Sequence, residues 1–380
     1  MSRERCRILF VNSFDVRLID SKKTDDSVIS QLEAVMLNYK GLCDLLLFTG
    51  DTIKFDLTPP IEHLPSALFH KFGLWHLSYM LFGTFKIAKR LKGNSLVRGY
   101  ITGCPQAILA AKIKNKPSMV FYEYNWAYQV TNINKGKVFG VIAKLIENYV
   151  IRNAEVIVAR HKSLENEAYE RGAKRVVLIP YSVDESVFKP GIAVEELKEF
   201  FNITDEKVLM YIGRLHPVKR LNLLLESVAK LQENFKLFIV GAGTLEEELK
   251  KYTLSLGINN KVIFTGAVQF GDIPKYMNLA DLIVLTSAIE GQPRVIVESM
   301  FCGTPAVGTN VFGISDTIEE GVTGYLTSAD PEDIAKKISK ALHNDKLPLR
   351  CREYALRNYS RETVNAKELA IAKELLNCDN

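Results

Sequence analysis

Two short stretches in the second half of this 380-residue chain carry residue types and spacings suited to a phosphorylated, hydroxyl-rich ligand. The first is Tyr211-Ile212-Gly213-Arg214-Leu215-His216-Pro217-Val218-Lys219-Arg220. An apolar run, Val208–Ile212, ends at Gly213, and Pro217 suits the first turn of a helix. This spacing puts Arg214 and Lys219 on a loop and a first helical turn. A lysine at a helix N-terminus opposes the helix dipole unless an anion sits there. A diphosphate would supply that anion, and an arginine can grip it with two parallel hydrogen bonds. Spacing alone equally allows two solvated surface charges.

The second stretch runs from Ser287 to Glu298. Gly291 permits an unusual turn, and Pro293 opens a helix that stops at Gly303. The free N–H groups of such a helix start form an anion site. Glu290 lies in the loop and Glu298 inside the helix, so a strand–turn–helix can turn both carboxylates to one ligand. A carboxylate accepts two ribose hydroxyls well. A surface glutamate near a helix dipole would also account for Glu290; it accounts poorly for Glu298, whose helix is apolar.

Other phosphate and metal signatures are weak. Gly241-Ala242-Gly243 follows a strand, but position 246 is Glu, and Glu246, Glu247 and Glu248 already satisfy the next helix dipole. That makes a tight turn near a ligand rather than a dinucleotide loop, and there is no Walker A loop. The six His, at 63, 70, 76, 161, 216 and 343, form no HExxH, and no DxD is flanked by apolar strand residues. Asp330-Pro331-Glu332-Asp333 reads as an N-cap with an acidic first turn. A bound diphosphate would therefore be neutralised by Arg214, Lys219 and a helix start, with no obligatory metal and no cofactor.

The elements that position these residues alternate along the chain. Val208–Ile212, Leu237–Val240, Val262–Phe264, Leu282–Leu285 and Pro305–Gly308 read as strands, each too short for a helix. Between them Leu221–Leu231, Leu245–Leu256, Ile273–Ala280 and Val295–Cys302 have helical spacing. The first half repeats the rhythm at Arg7–Val11, Leu45–Phe48, Leu96–Ile101, Met119–Tyr122, Val156–Val158 and Val176–Ile179. Such alternation predicts α/β architecture: two doubly wound Rossmann-like domains with parallel sheets, facing a cleft. Pro180, Pro190 and Gly191 mark a boundary. The expected domains are 1–190, 191–355 and a C-terminal helix, 356–380, that packs back on the first.

Composition fits a soluble globular chain, at 47% hydrophobic and 24% charged residues, and excludes disorder, collagen and coiled coil. The six Cys lie apart without a CxxC pair, as in a reducing compartment. Residues 1–190 hold 27 Lys and Arg against 18 Asp and Glu; residues 191–380 hold 22 against 26. A basic first half suits an anionic partner: a membrane surface, a phosphorylated acceptor or nucleic acid. No signal peptide or spanning segment is evident, and the most apolar stretch, Leu64–Leu91, is broken by charges. The segment Leu64–Lys92 suits a membrane surface, with Trp75, Phe82 and Phe85 in the interface and Lys86, Lys89 and Arg90 on lipid phosphates. A domain-packing helix pair is the alternative. The aromatic run Phe121, Tyr122, Tyr124, Trp126 and Tyr128 suits sugar stacking, with core packing favoured for Phe121 and Tyr122.

Taken in order, the second-half stretches resemble the retaining glycosyltransferases of family 4, which have the GT-B fold. The matching residues are Val177–Asp184 with Phe188-Lys189-Pro190, Gly213-Arg214-Leu215 with Lys219, Val240–Gly243, Phe264-Thr265-Gly266 and Ala280-Asp281. They continue with Glu290 and Glu298 as E-x7-E, Gly303–Val307, Gly313 and Gly321–Tyr325. The resemblance implies that Arg214 and Lys219, with the N–H groups of Val295 and Ile296, bind the donor diphosphate. It assigns the donor sugar to Glu290, Gly291, Gln292 and Pro293, and the nucleoside to Glu298, Gly241, Thr265, Gly266 and Val268. Glu290, Arg214 and Lys219 would be catalytic. The sequence departs from the family pattern at Asn12–Ile29, which lacks Gly, at Tyr181-Ser182, at Arg220 in place of Gly, and at Phe121–Trp126, where a His is usual. Glu123, Asn125 and Trp126 are therefore the acceptor-side candidates.

The expected function is metal-independent transfer, with retention, of a hexose-type sugar from a nucleotide diphosphate sugar to a glycan or lipid-linked acceptor. Nucleic acid is not an expected partner, and the expected location is the cytoplasm, at the inner face of the membrane. A donor-binding protein without turnover and a nucleotide-sugar epimerase or hydrolase are the alternatives.

Overall fold

The computed structural model describes residues 7–12, 44–49, 61–63, 75–101, 104–128, 131 and 137–377. The chain divides into two compact units, Met1–Ile179 with Asn365–Asn380, and Pro180–Val364.

The first unit is built on β1 (Arg7–Asn12), β2 (Asp44–Thr49), β3 (Ile61–His63), β4 (Ser95–Tyr100), β5 (Ser118–Tyr122), β6 (Val156–Ala159) and β7 (Val176–Leu178). They form a parallel sheet in the order β3-β2-β1-β4-β5-β6-β7. All residues of β5 and β6 are buried, as expected where helices cover both faces of a parallel sheet. The short β3 is absent from the sequence expectation: three residues after Pro59-Pro60 leave no apolar run to read. On β4 the buried Arg98 donates Nε–H to Glu368 Oε1 at 2.8 Å and stacks 4.0 Å from the Phe121 ring centroid. This contact ties the C-terminal helix, Arg361–Leu375, to the sheet.

The second unit contains β8 (Lys207–Ile212), β9 (Phe235–Val240), β10 (Val262–Gly266), β11 (Leu282–Leu285), β12 (Ala306–Thr309) and β13 (Gly324–Thr327). They too run parallel, in the order β10-β9-β8-β11-β12-β13. The order reverses between β8 and β11, the place where such sheets take ligands at their carboxyl ends. The strand β13 is absent from the sequence expectation. A Cβ on Gly324 would lie 1.8 Å from the Ala306 carbonyl oxygen, so glycine is what lets β13 approach β12.

Three expectations need correction. The unit boundary falls at 179/180 rather than 190/191. Residues after 180 are held to the second unit by Val183 N–H on Tyr359 C=O at 3.1 Å and by an Asp184–Arg361 ion pair at 3.0 Å. The C-terminal return begins at Asn365 rather than 356, because the helix Leu347–Tyr359 packs in the second unit. Finally, no α-helix starts at Pro217. Pro217–Lys219 is a single 3-10 turn, Arg220 is left-handed at φ 48°, and the helix runs from Leu221 to Val228.

Candidate active site

The loops leaving β8 and β11 are laced together at the point of reversal. Tyr211 donates its hydroxyl to the Arg214 carbonyl at 2.8 Å, and Leu215 N–H reaches Ala242 C=O at 3.0 Å. A Cβ on Gly241 would stand 2.0 Å from Gly213 O, which explains glycine at this crossing. His216 Nδ1 accepts from Val218 N–H and shapes the 3-10 turn. The left-handed Arg220 is anchored by its side chain: Nε donates to Thr286 C=O at 2.8 Å and Nη2 to Ser287 C=O at 2.6 Å. Thr286 Oγ1 lies 3.0 Å from both the Lys219 and Arg220 carbonyls.

This lacing delivers Lys219 to Glu290. Nζ and Oε1 are 2.5 Å apart, and Ser287 Oγ donates to the same oxygen at 2.7 Å. The Glu290 backbone is held by its N–H on Phe312 C=O and by Gly313 at φ 83°, where a Cβ would fall 1.7 Å from Gly291 O. Arg214 is exposed and has no acidic partner among the described residues. The buried Tyr211 phenol is raised by burial first and then by the Glu290 charge, with Arg214 acting against them.

The next helix, Arg294–Cys302, starts after Pro293 and ends at Gly303, φ 80°. Ile296 N–H already donates to Pro293 C=O at 3.0 Å, which corrects its expected role on an anion; Val295 N–H has no acceptor among the described residues. The buried Gln292 accepts the Tyr181 N–H on Oε1 at 2.7 Å. Glu298, 7% exposed, sits 3.2 Å from Arg294 Nη2, not with Glu290. Burial raises its carboxyl, and Arg294 pulls it back. Thr265, Gly266 and Val268 lie at the end of β10, where Gly266 turns at φ 71° and its carbonyl accepts Gly241 N–H. Sequence reasoning gave no role to Thr286, Ser287 or Arg294; hydroxyls and a first-turn arginine beside a strand end were the available signal.

In the first unit, Glu123 pairs with Arg160 at 3.3 Å. Asn125 donates to Glu167 at 2.6 Å and accepts from Tyr128 N–H at 2.7 Å. Trp126 N–H and Ala127 N–H both donate to Glu147 Oε1, and Glu147 Oε2 meets Arg171 at 2.8 Å. Arg171 also donates to Tyr122 OH and Asn148. Glu147 and Arg171 were missed, because a lone glutamate inside a helix gives no sign that it will be buried. Phe121 and Tyr122 are core residues, whereas Tyr128 is exposed. The Tyr124 phenol is pushed up to about 12 by burial and then by Glu123 and Glu147. Of the expected membrane segment, 64–74 lies outside the described residues, as does 13–29 of the Gly-free stretch; in the helix Trp75–Arg90, Phe85, Lys89 and Arg90 are exposed. Among the described residues no helix is long and apolar enough to cross a membrane, and no group of three or more His, Cys, Asp or Glu is placed to hold a metal ion.

The two parallel-sheet α/β units give the chain the two-domain architecture of the GT-B glycosyltransferases. Residues 193–358 match the family model described as Glycosyl transferases group 1. An uncharacterized glycosyltransferase of Methanocaldococcus jannaschii is 24% identical over 71% of this chain and 72% of its own length. The GalNAc-alpha-(1->4)-GalNAc-alpha-(1->3)-diNAcBac-PP-undecaprenol alpha-1,4-N-acetyl-D-galactosaminyltransferase of Campylobacter jejuni is 27% identical over 79% of this chain and 75% of its own. Further relatives align over 62%, 46% and 47% of their own length. Among solved structures, Anabaena Alr3699/HepE in complex with UDP and glucose superposes with a TM-score of 0.74 at 19% identity, covering 97% of this chain and 100% of that one.

Proposed function

We propose that the chain transfers a hexose-type sugar from a nucleotide diphosphate sugar to a glycan or lipid-linked acceptor, with retention at the anomeric carbon and no obligatory metal. The observation that carries this reading is the Lys219–Glu290 contact beside the start of the helix Arg294–Cys302. In this reading Lys219 and Arg214 neutralise the leaving diphosphate, aided by Val295 N–H at the positive end of the helix. Glu290 accepts hydrogen bonds from sugar hydroxyls, Glu298 from the ribose, and Gly241, Thr265, Gly266 and Val268 lie along the base. The acceptor oxygen joins the anomeric carbon on the face that the diphosphate leaves, and the departing β-phosphate oxygen takes the acceptor proton. A preorganised group aimed at such developing charge is worth about 10²–10³ in rate.

The Campylobacter relative, whose name specifies an undecaprenol diphosphate-linked acceptor, supports the lipid-linked option. The Anabaena neighbour, seen with UDP and glucose, supports a nucleotide diphosphate donor. Docking of Leu64–Lys92 at the inner face of the membrane belongs to the same proposal; among its described residues Phe85, Lys89, Arg90 and Lys92 are exposed and Lys86 is half-buried.

A thermal-shift panel of UDP-, GDP- and ADP-sugars tests the reading, since a ligand stabilises the fold as its concentration exceeds its dissociation constant. One donor class is expected to raise Tm, to be hydrolysed slowly without acceptor, and to give product with unchanged anomeric configuration by NMR, in EDTA as in its absence. Stabilisation by none of the panel, or an inverted product, overturns the proposal.

A further inference from the structure

Arg294 stands in the first turn of its helix, where a cation opposes the helix dipole, and it precedes Glu298 in the less favourable i, i+4 order. Something other than local helix stability therefore accounts for it. Its guanidinium is one-third exposed, lies 5.9 Å from the Tyr181 ring centroid, and meets Glu298 Oε1 through Nη2. Its Nε is buried without an acceptor among the described residues, so the Glu298 carboxylate and the Tyr181 face define its position. Glu298 has no other ion-pair partner among the described residues. Cys302, one turn further on, feels the Glu298 charge as a secondary cause after burial, and Arg352 of the helix Leu347–Tyr359 acts on that thiol. The helix Ile273–Leu279 directs its Lys275 to Asp272, and β12 carries no charged residue.

A carboxylate deep in an apolar helix face needs a counter-charge to stay ionised. Protonated, it becomes a donor on one oxygen and loses the acceptor capacity that a ribose diol requires. We propose that Arg294 is a positioning residue for ribose recognition, holding Glu298 ionised and oriented so that it accepts hydrogen bonds from both ribose hydroxyls. This inference rests on the reading of Glu298 as the ribose carboxylate.

The test is the binding of UDP, GDP and ADP by wild type, Arg294→Met, Arg294→Lys and Glu298→Gln, with the tightest nucleotide then compared with its 2′,3′-dideoxy form between pH 6 and 9. The dideoxy comparison cancels titration of the diphosphate. In wild type the ribose-to-dideoxy preference should be constant with pH. In Arg294→Met it should shrink as pH falls, by about tenfold per unit below the carboxyl's new midpoint, and recover toward pH 9. Arg294→Lys should restore most of it, and Glu298→Gln should abolish it at every pH. A preference in Arg294→Met that equals wild type, or is reduced by one factor at all pH values, overturns the role of Arg294. Absence of nucleotide binding by wild type overturns the donor reading itself, and an undiminished preference in Glu298→Gln overturns the ribose assignment.

Discussion

At the carboxyl end of β11, Glu290 meets Lys219 and Ser287, side chains that two adjoining loops bring together at the edge of the sheet. At the carboxyl end of β5, Glu123, Asn125 and Trp126 are instead tied back to their own unit, to Arg160, Glu167 and the buried Glu147. In the second unit the scaffold is mainly backbone: glycines, threonine and one side chain, Arg220 on two carbonyls, bring the loops together, and the charged tips of Lys219 and Glu290 are left to one another. In the first unit charged side chains are the scaffold, and what they hold is a backbone turn. Substitution should therefore separate stability from chemistry differently at the two edges.

The largest effect is expected at Glu147. Replacing it with Ala leaves Arg171 without its main buried counter-charge and two N–H groups without an acceptor, a loss of about 3–5 kcal/mol. Urea unfolding measures it; Glu147→Gln, which keeps an acceptor for Trp126 N–H, should lose less. A small loss for both would erase the contrast between the edges. Next, Glu290→Gln should cut turnover about 10²–10³-fold with little change in Tm. Lys219→Ala should weaken nucleoside diphosphate binding far more than nucleoside binding, and equal losses by calorimetry would remove Lys219 from the diphosphate. Gly313→Ala is expected to cost about 1–3 kcal/mol, since the new Cβ meets Gly291 O in a left-handed backbone. It should lower turnover as well by moving Glu290. A smaller loss of stability than at Glu147 is expected for Glu123→Gln, which keeps an acceptor for the buried Arg160, so a strong loss of transfer with intact donor hydrolysis would assign Glu123 to the acceptor.

The sequence made the second edge more legible than the first for a physical reason. Lys219 and Glu290 lie in the loops that follow β8 and β11, with Gly213 and Gly291 in the same loops, so local pattern and topology together point to one edge. The position of Arg220 shows how far that goes: proline at 217 suggests a helix, but the left-handed residue at 220 delays it to Leu221. The side chain of Arg220 itself holds the turn through Thr286 and Ser287. Ile296 shows the reverse limit, because only coordinates reveal that its N–H closes onto Pro293. Glu147 and Arg171 are twenty-four residues apart and meet only in the folded unit, so no local pattern could join them.

The contact between Arg98 and Glu368 carries a consequence for biogenesis. A ribosome delivers β1 to β7 early, yet the helix that supplies Glu368 emerges only after all of Pro180–Val364 has been made. At roughly 5–20 residues per second, the first unit spends on the order of ten seconds or more with the Glu368 side of that ion pair still untranslated. Of the two units, the one whose synthesis begins first is thus the last to be completed.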